Sequence, residues 1–431
     1  MATQARALRH AERRYSIQVQ RNLNRNFVAH LAHGMLGQTG FRLLNAPTFL
    51  PAYIMLLSGG SEFMVGVALS VQALGMCLTP LVGASLIEHR KQVLPVGFLT
   101  GGAMRGMVLL IALSGLFLDG KAALVAIMIC LAFLGLFQGM QGVIFNFLMS
   151  KVIPVSKRGR LTGLRNFLAG ITSAGVAWAG GHYLLGENPT EVGYSWTFMV
   201  AFVLTTVGLL ALIAVREPEP PTVREKQSLI DRIGEVPTLL REDPAFTRYF
   251  LARSLATMGR MAMPFYILYA GQSIGLTGQT LGIVTFAFTI SGTASNLVWG
   301  YSSDRAGFRQ TFLLSIALWV LSTLLLLLST NEVVIVLVFV GVGAAVQGFQ
   351  NSSQNLTLEF GDRDDLPMRI AIANSASEMA GTIGPLLGGA LASAFGYLWV
   401  FVVAIGFLAV GGLVVRIYVP EPRRSGASAR T

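Results

Sequence analysis

RQTFLLSIALWVLSTLLLLLS, residues 309–329, carries a charge only at its first position. As a helix rising about 1.5 Å per residue, it spans about 30 Å, the hydrocarbon thickness of a bilayer. Similar runs recur along the chain. Candidate spans fall at 27–56, 63–85, 94–116, 121–148, 161–184 and 194–215, then at 248–270, 278–301, 309–329, 332–356, 368–390 and 396–417. The pattern predicts an all-α polytopic membrane protein with twelve transmembrane helices in two pseudosymmetric six-helix bundles.

Composition supports the bilayer as the solvent. Of 431 residues, 53% are hydrophobic and 12% charged, whereas a soluble domain carries about 25% charged residues. Glycine is abundant inside the apolar runs, as membrane helices permit where neighbours cover the freed backbone groups. The formal charge of +11 does not mark a nucleic-acid binder, because its basic residues sit in short clusters between spans. Cys77 and Cys130 lie inside apolar runs without metal-like spacing and read as packing thiols. The basic N-terminus lacks the apolar core of a cleavable signal.

The charges orient the spans. Arg6, Arg9, Arg13, Arg14, Arg21 and Arg25 precede the first span. Alternate loops then carry Arg90 and Lys91, then Lys151, Lys157, Arg158 and Arg160, then Arg305 and Arg309, then Arg363, with Arg423 and Arg424 after the last span. The opposite loops contribute essentially Lys121. By the positive-inside rule both termini are expected in the cytoplasm, with the chain multi-pass in a bacterial-type plasma or inner membrane.

Residues 216–247, beginning REPEPPTVREKQ, punctuate the chain. Pro218, Pro220 and Pro221 end the preceding helix. Leu229, Ile230, Ile233, Val236, Leu239 and Leu240 are spaced for a short amphipathic helix on the inner membrane face. The expected layout is an N-terminal tail at 1–26, a first bundle at 27–215, the linker at 216–247, a second bundle at 248–417 and a C-terminal tail at 418–431. The halves echo each other: Pro51-Ala-Tyr53 in the first span matches Pro264-Phe-Tyr266 in the seventh.

GYSSDRAGFR, Gly300–Arg309, resembles the cytoplasmic loop between the second and third helices of a half of the major facilitator superfamily. Gly300, Asp304, Arg305, Gly307 and Arg309 match the main residues of that pattern. The first-half copy, ASLIEHRKQ, is degraded, with Glu88 near the acidic position, Arg90 following, and Ala84 in place of the leading glycine. The resemblance implies a cytoplasmic gate at these residues and close helix approach at Gly300. KRGRLTGLRNFLAG, Lys157–Gly170, resembles the basic loop and start of helix five in related members. AIANSASEMAGTIGPLLGG, residues 371–389, resembles their small-residue-rich helix eleven. The family implies secondary transport by two bundles that expose a site alternately to each side.

Ionised groups at membrane depth are costly and read first as functional. Arg42 and Arg260 are candidate substrate ligands, Arg105 a structural or gating residue and Glu378 a proton-coupling carboxylate. Asn45, Gln138, Gln141, Gln347, Gln350 and Asn351 are further substrate-binding candidates, with interhelical hydrogen bonding as their alternative role. Gln347, Gln350 and Gln354 share a helical face. His30 and His33 are titratable, yet two histidines without a third ligand make no metal site. Phe41, Phe49, Tyr53, Phe265, Tyr266 and Tyr269 offer either an amphiphilic cavity or helix packing.

No phosphate loop or nucleophile–base pair stands out, so neither an enzyme nor an ATP-driven pump is expected, and no cofactor is implied. The expected function is proton-coupled transport of a small solute by a monomer, with efflux of amphiphiles favoured. Import or exchange of a small polar or anionic metabolite is the alternative, and a non-transporting membrane receptor the third.

Overall fold

The computed structural model describes residues 2–87, 89–220, 237–360 and 366–419, and among them every regular element is helical. The elements used below are α1 (Ala2–Arg21), α2 (Leu23–Asn45), α3 (Phe49–Leu57), α4 (Glu62–Leu78), α5 (Pro80–Ile87), α6 (Leu94–Phe117), α7 (Gly120–Val152) and α8 (Val155–Ala179). They continue with α9 (Glu191–Ala211), α10 (Pro244–Thr257), α11 (Met263–Ile274), α12 (Gly278–Ala306), α13 (Phe308–Leu328), α14 (Glu332–Thr357), α15 (Leu366–Phe395) and α16 (Tyr397–Tyr418). Eight stretches among the described residues are long and apolar enough to cross a bilayer. The other expected spans, at α2–α3, α8, α10–α11 and α15, are also helical but carry polar residues or breaks.

Side chains on the outer faces show what these helices are built to meet. Leu99, Phe117, Leu297 and Leu328 are each at least 77% exposed. Such surface is a liability in water and the proper face toward lipid. Local chemistry fixes the ends. Asp243 accepts a 2.9 Å bond from the amide of Phe246 and caps α10, with Pro244 supplying the preset first turn. Asn331 caps α14 through the amides of Val333 and Val334. Gly307, at φ +88°, closes α12 in the left-handed region that disfavours a side chain.

The breaks recur at corresponding places in the two halves. The first expected span is interrupted at residues 46–48, around Pro47, before α3 resumes with Pro51. The seventh tightens into a 3₁₀ turn, Met258–Ala262, before α11 starts with Pro264 near its first turn. The two resumed segments, α3 and α11, pack on each other. The proline echo in the sequence thus marks a shared device for interrupting a span.

The chain forms two compact units. The first comprises residues 1–44, 75–173 and 195–228, and the second comprises 45–74, 174–194 and 229–431. In the first, α6 lies along α7 and α5 along α7. In the second, α12 and α13 flank α14, while α10 packs on α16. Segments from both sequence halves meet inside the second unit at glycines. Gly66 of α4 faces the backbone of Pro385 and Gly389 in α15, and Gly181 faces Gly278 and Gly282 of α12. The Gly278 amide donates to the Gly186 carbonyl at 2.7 Å, and the Thr48 and Thr285 hydroxyls bond at 2.6 Å.

A side chain at these contacts has no room, because the opposing atoms are backbone. Gly66→Leu or Gly181→Leu is therefore expected to cost about 1–3 kcal/mol, the usual range for overpacking. Thermal unfolding of the purified chain tests this, with Gly102→Leu as control, since nothing lies within 4 Å of a Cβ there. Equal melting temperatures for all three variants would contradict the seam.

Candidate functional site

His30, Gly34, Gln38 and Arg42 lie four residues apart on α2 and so form one strip along the helix. Two of its members, Gly34 and Gln38, meet α8. A Cβ at Gly34 would fall on the Cγ and Cδ of Arg165, so the missing side chain is what admits the arginine stem. One turn on, Gln38 donates to Asn166 Oδ1 at 3.1 Å. Arg42 then reaches Gln38 Oε1 at a long 3.5 Å. Below the strip, the hydroxyls of Thr39 and Thr172 bond at 2.5 Å and tie the helices together.

Charge in this region is of one sign. Arg42, Arg105 and Arg165 bring three guanidinium groups into the first unit. Residues 23–44, 75–87, 94–117, 120–152, 155–173 and 195–215 contain no Asp or Glu. Arg165 acts electrostatically on both Arg42 and His30. Its Nε is buried without a hydrogen-bond partner among the described residues, as is Nε2 of His30, which is only 5% exposed. Arg165 was not singled out in the sequence, where it reads as part of the basic run that opens helix five.

Arg105 is different in kind. It is 2% exposed, with Nε donating to the Thr205 carbonyl at 2.6 Å and Nη1 to the Gly101 carbonyl at 2.8 Å. Its guanidinium lies 5.6 Å from the centre of the Phe41 ring. These bonds join α6, α9 and α2, which fits the structural side of its expected role. Gln141, expected as a substrate ligand, is buried and donates to the Gly97 carbonyl at 2.8 Å, tying α7 to α6. Gln138, on the same helix, is partly exposed. Asn45 is exposed and accepts from Gln72 Nε2 at 2.8 Å in the second unit.

Two polar groups among the described residues of the second unit bear on the expected site. An amide ladder runs from Gln347 to Asn351 Oδ1 at 3.1 Å and from Asn351 Nδ2 to Asn296 Oδ1 at 2.5 Å, joining α14 to α12. Gln350 is exposed beside it. In the second group Arg253, 5% exposed, donates to Thr357 at 2.9 Å and to Asn374 at 3.4 Å, and its Nε lacks a partner among the described residues. Sequence reading missed Arg253 because it sits near the start of its span. Arg260 is partly exposed in the 3₁₀ turn, and Glu378 partly exposed on α15. The aromatics Phe49, Tyr53, Phe265 and Tyr266 are at most 2% exposed. Tyr53 stacks on Tyr194 with centroids 4.9 Å apart, and Tyr266 bonds Thr323 at 2.6 Å. They are packing, not cavity wall.

The expected gate residues do separate things. Gly300 has nothing among the described residues within 4 Å of a Cβ, so the close helix approach expected there is not made among them. Arg305 lies 4.2 Å from the Tyr301 ring centre, Asp304 is exposed, and Arg309 donates to the carbonyls of Val415 and Arg416 at the end of α16. Arg90 is exposed after α5. Glu88, Arg363, the linker apolar residues Leu229, Ile230, Ile233 and Val236, and Arg423 and Arg424 lie outside the described residues.

A buried ion pair stands at the α1 end of the first unit. Glu217 accepts from Lys151 Nζ at 2.5 Å and from the amides of Val93 and Leu94 at 2.8–2.9 Å, where the α6 N-terminus favours a negative charge. Lys151 also donates to the Lys91 carbonyl at 2.6 Å, and its own carbonyl accepts from the Tyr15 hydroxyl at 2.8 Å. Burial first, then the Glu217 charge, holds the Tyr15 phenol above its ordinary pKa, with Arg158 opposing. Glu217→Gln strands the Lys151 charge and is expected to cost about 3–5 kcal/mol. Pairing it with Lys151→Met is expected to recover most of that loss in melting experiments. A neutral single variant would contradict the pair's structural role.

Comparison with known proteins places this arrangement in a wider setting. The sequence model described as Major Facilitator Superfamily matches residues 34–259 and 249–431. A protein of Gibberella moniliformis named "MFS-type transporter" is 26% identical over 279 residues, 60% of this chain. The match spans 63% of that relative's length. Among solved structures, a variant of the nucleoside transporter NupG is similar with a TM-score of 0.73 and 13% identity, over 92% of this chain and all of that one. A bacterial homologue of the iron transporter ferroportin, in an inward-facing state, gives a TM-score of 0.68 and 11% identity, covering 92% and 99% of the two chains. A bacterial homologue of the lysosomal transporter Spinster gives 0.65 and 12%, covering 95% and 97%.

Proposed function

We infer that this chain, which belongs to the Major Facilitator Superfamily, is a secondary transporter whose solute is a small anion. The observation that carries the reading is the set of guanidinium groups in the first unit, Arg42, Arg105 and Arg165, that pair with no carboxylate among the described residues. Each charged side chain at bilayer depth costs about 2.5–3.5 kcal/mol on insertion scales. Arg105 offsets that cost with backbone carbonyls and an aromatic ring. Arg42 has one long bond to a neutral amide, and Arg165 has a buried Nε without an acceptor. A carboxylate or phosphate on the solute supplies the missing acceptor in the bidentate geometry that arginine favours. In the second unit Arg253, bonded to neutral oxygens, and Arg260 add positive charge of the same sense.

Efflux of amphiphiles is the slightly favoured expectation from sequence, and it rests on candidate lining that is aromatic and mixed-polar. Four of those aromatics are interior packing, which removes that support and moves the reading to the anionic alternative. The cargoes named for the similar structures, a nucleoside in one and iron in another, belong to those proteins and differ from each other. The solute moves by alternating access, with both termini cytoplasmic and the protein monomeric. Coupling to protons is assigned to Glu378, the carboxylate placed inside α15.

The test is uptake into proteoliposomes of succinate, lactate, inorganic phosphate and glycerol 3-phosphate, against neutral and cationic solutes of similar size. At least one anion is expected to enter saturably. Arg42→Gln and Arg165→Gln are each expected to lower kcat/KM about 10- to 100-fold, the loss of a charge-assisted hydrogen bond. Preference for neutral or cationic solutes, unchanged in both variants, would contradict the reading. Glu378→Gln is expected to reduce accumulation driven by a proton gradient and to spare solute exchange. Gradient-driven accumulation at the wild-type level would remove Glu378 from coupling.

A further inference from the structure

His30 is a buried titratable group that the anionic reading leaves unused. It sits on the same α2 strip as Gly34, one turn from the point where the Arg165 stem crosses the helix. Its Nε2 has no hydrogen-bond partner among the described residues, although burying an unmade bond costs about 1–3 kcal/mol. The Nε of Arg165, whose stem crosses α2 one turn away at Gly34, also lacks a partner among the described residues. An anion bound there would supply the acceptor that Arg165 lacks.

Among the described residues the charged group acting on His30 is a cation, with no carboxylate to hold an imidazolium. From α8 the group acting on it is Arg165, and on its own helix it acts on His33. From α6, Arg105 acts on His33. From α9 the Gly208 carbonyl lies 3.1 Å from His33 Nδ1, and from α7 the Phe145 ring packs on His33 at 4.5 Å. His33 is therefore occupied by packing and a backbone bond. His30 is the imidazole with a vacant nitrogen facing cationic charge.

We propose that His30 takes up a proton when the anion binds at Arg165 and releases it when the anion leaves, so that the two are carried together. The proton bonds to the ring nitrogen, arrives from the water on the side where the anion enters, and returns to water on the other. The driving force is electrostatic: an anion against Arg165 cancels positive potential at His30, and imidazolium formation then becomes favourable. By linkage the effect is reciprocal, so lowering the pH tightens anion binding. The strip thus serves as a combined anion and proton site, distinct from Glu378 in the second unit. The inference rests on the anionic reading.

The test counts protons taken up on binding by the purified full chain, using titration calorimetry in buffers of different ionisation enthalpy. Succinate and inorganic phosphate are the probes, each titrated across about pH 5.5 to 8, where a histidine exchanges its proton. The wild type is expected to take up about one proton per anion beyond the probe's own ionisation, with affinity rising up to about tenfold per unit fall in pH. His30→Gln and His30→Phe, shown by melting to be folded, are expected to bind the anion with no such proton and a flat profile. Gly102→Leu, at a position with nothing within 4 Å of a Cβ, is expected to keep the wild-type count. A proton count retained in both His30 variants overturns the role of His30 and leaves the anionic reading standing. Binding of neither probe by the wild type overturns both.

Discussion

A guanidinium group inside an apolar bundle has almost no route to neutrality, because its proton stays on at any physiological pH. It must find acceptors, or a counter-charge must come to it. The first unit resolves this in two ways at once. Arg105 is satisfied permanently by the carbonyls of Thr205 and Gly101 and becomes a strut between helices. Arg42 and Arg165 are held in place but left incompletely bonded. On the anionic reading, what would make Arg42 and Arg165 binding groups and not struts is that residual valence.

The surrounding packing follows from the same constraint. Arg165 can pass along α2 only because residue 34 has no side chain. The polar strip His30, Gly34, Gln38 and Arg42 needs α8 alongside it, and the bonds from Gln38 to Asn166 and from Thr39 to Thr172 supply that fixed geometry. In the second unit the glycine contacts at Gly66 and Gly181 bring segments from both sequence halves to backbone distance. Contacts of backbone on backbone carry little side-chain entropy cost. A transport cycle benefits from seams of that kind.

Much of the architecture was legible from hydropathy and charge. The apolar runs mark helices throughout, and the Pro51 and Pro264 echo marks paired interruptions that the structure places at residues 46–48 and 258–262. The site was read only in part. Arg42 and Arg105 announced themselves by charge within apolar runs, but sequence offered no way to tell strut from ligand, since that depends on carbonyls of distant helices. Arg165 and Arg253 were hidden near span ends, where a basic residue looks like a topology signal. Gln141 and the aromatics at 49, 53, 265 and 266 looked like lining because polarity and ring content do not reveal which way a helix is turned. Gly300 matched a family pattern whose helix contact is not made here.

The central claim is that the first unit takes its missing negative charge from the solute. Equilibrium dialysis of the purified chain with succinate and with its uncharged diamide, matched in size and shape, addresses that claim most directly. Saturable binding of the dianion, weakened by rising salt and absent for the diamide, is the predicted result. Equal binding of the two, or preference for the diamide, would show that the arginines are struts and that the cargo is not an anion.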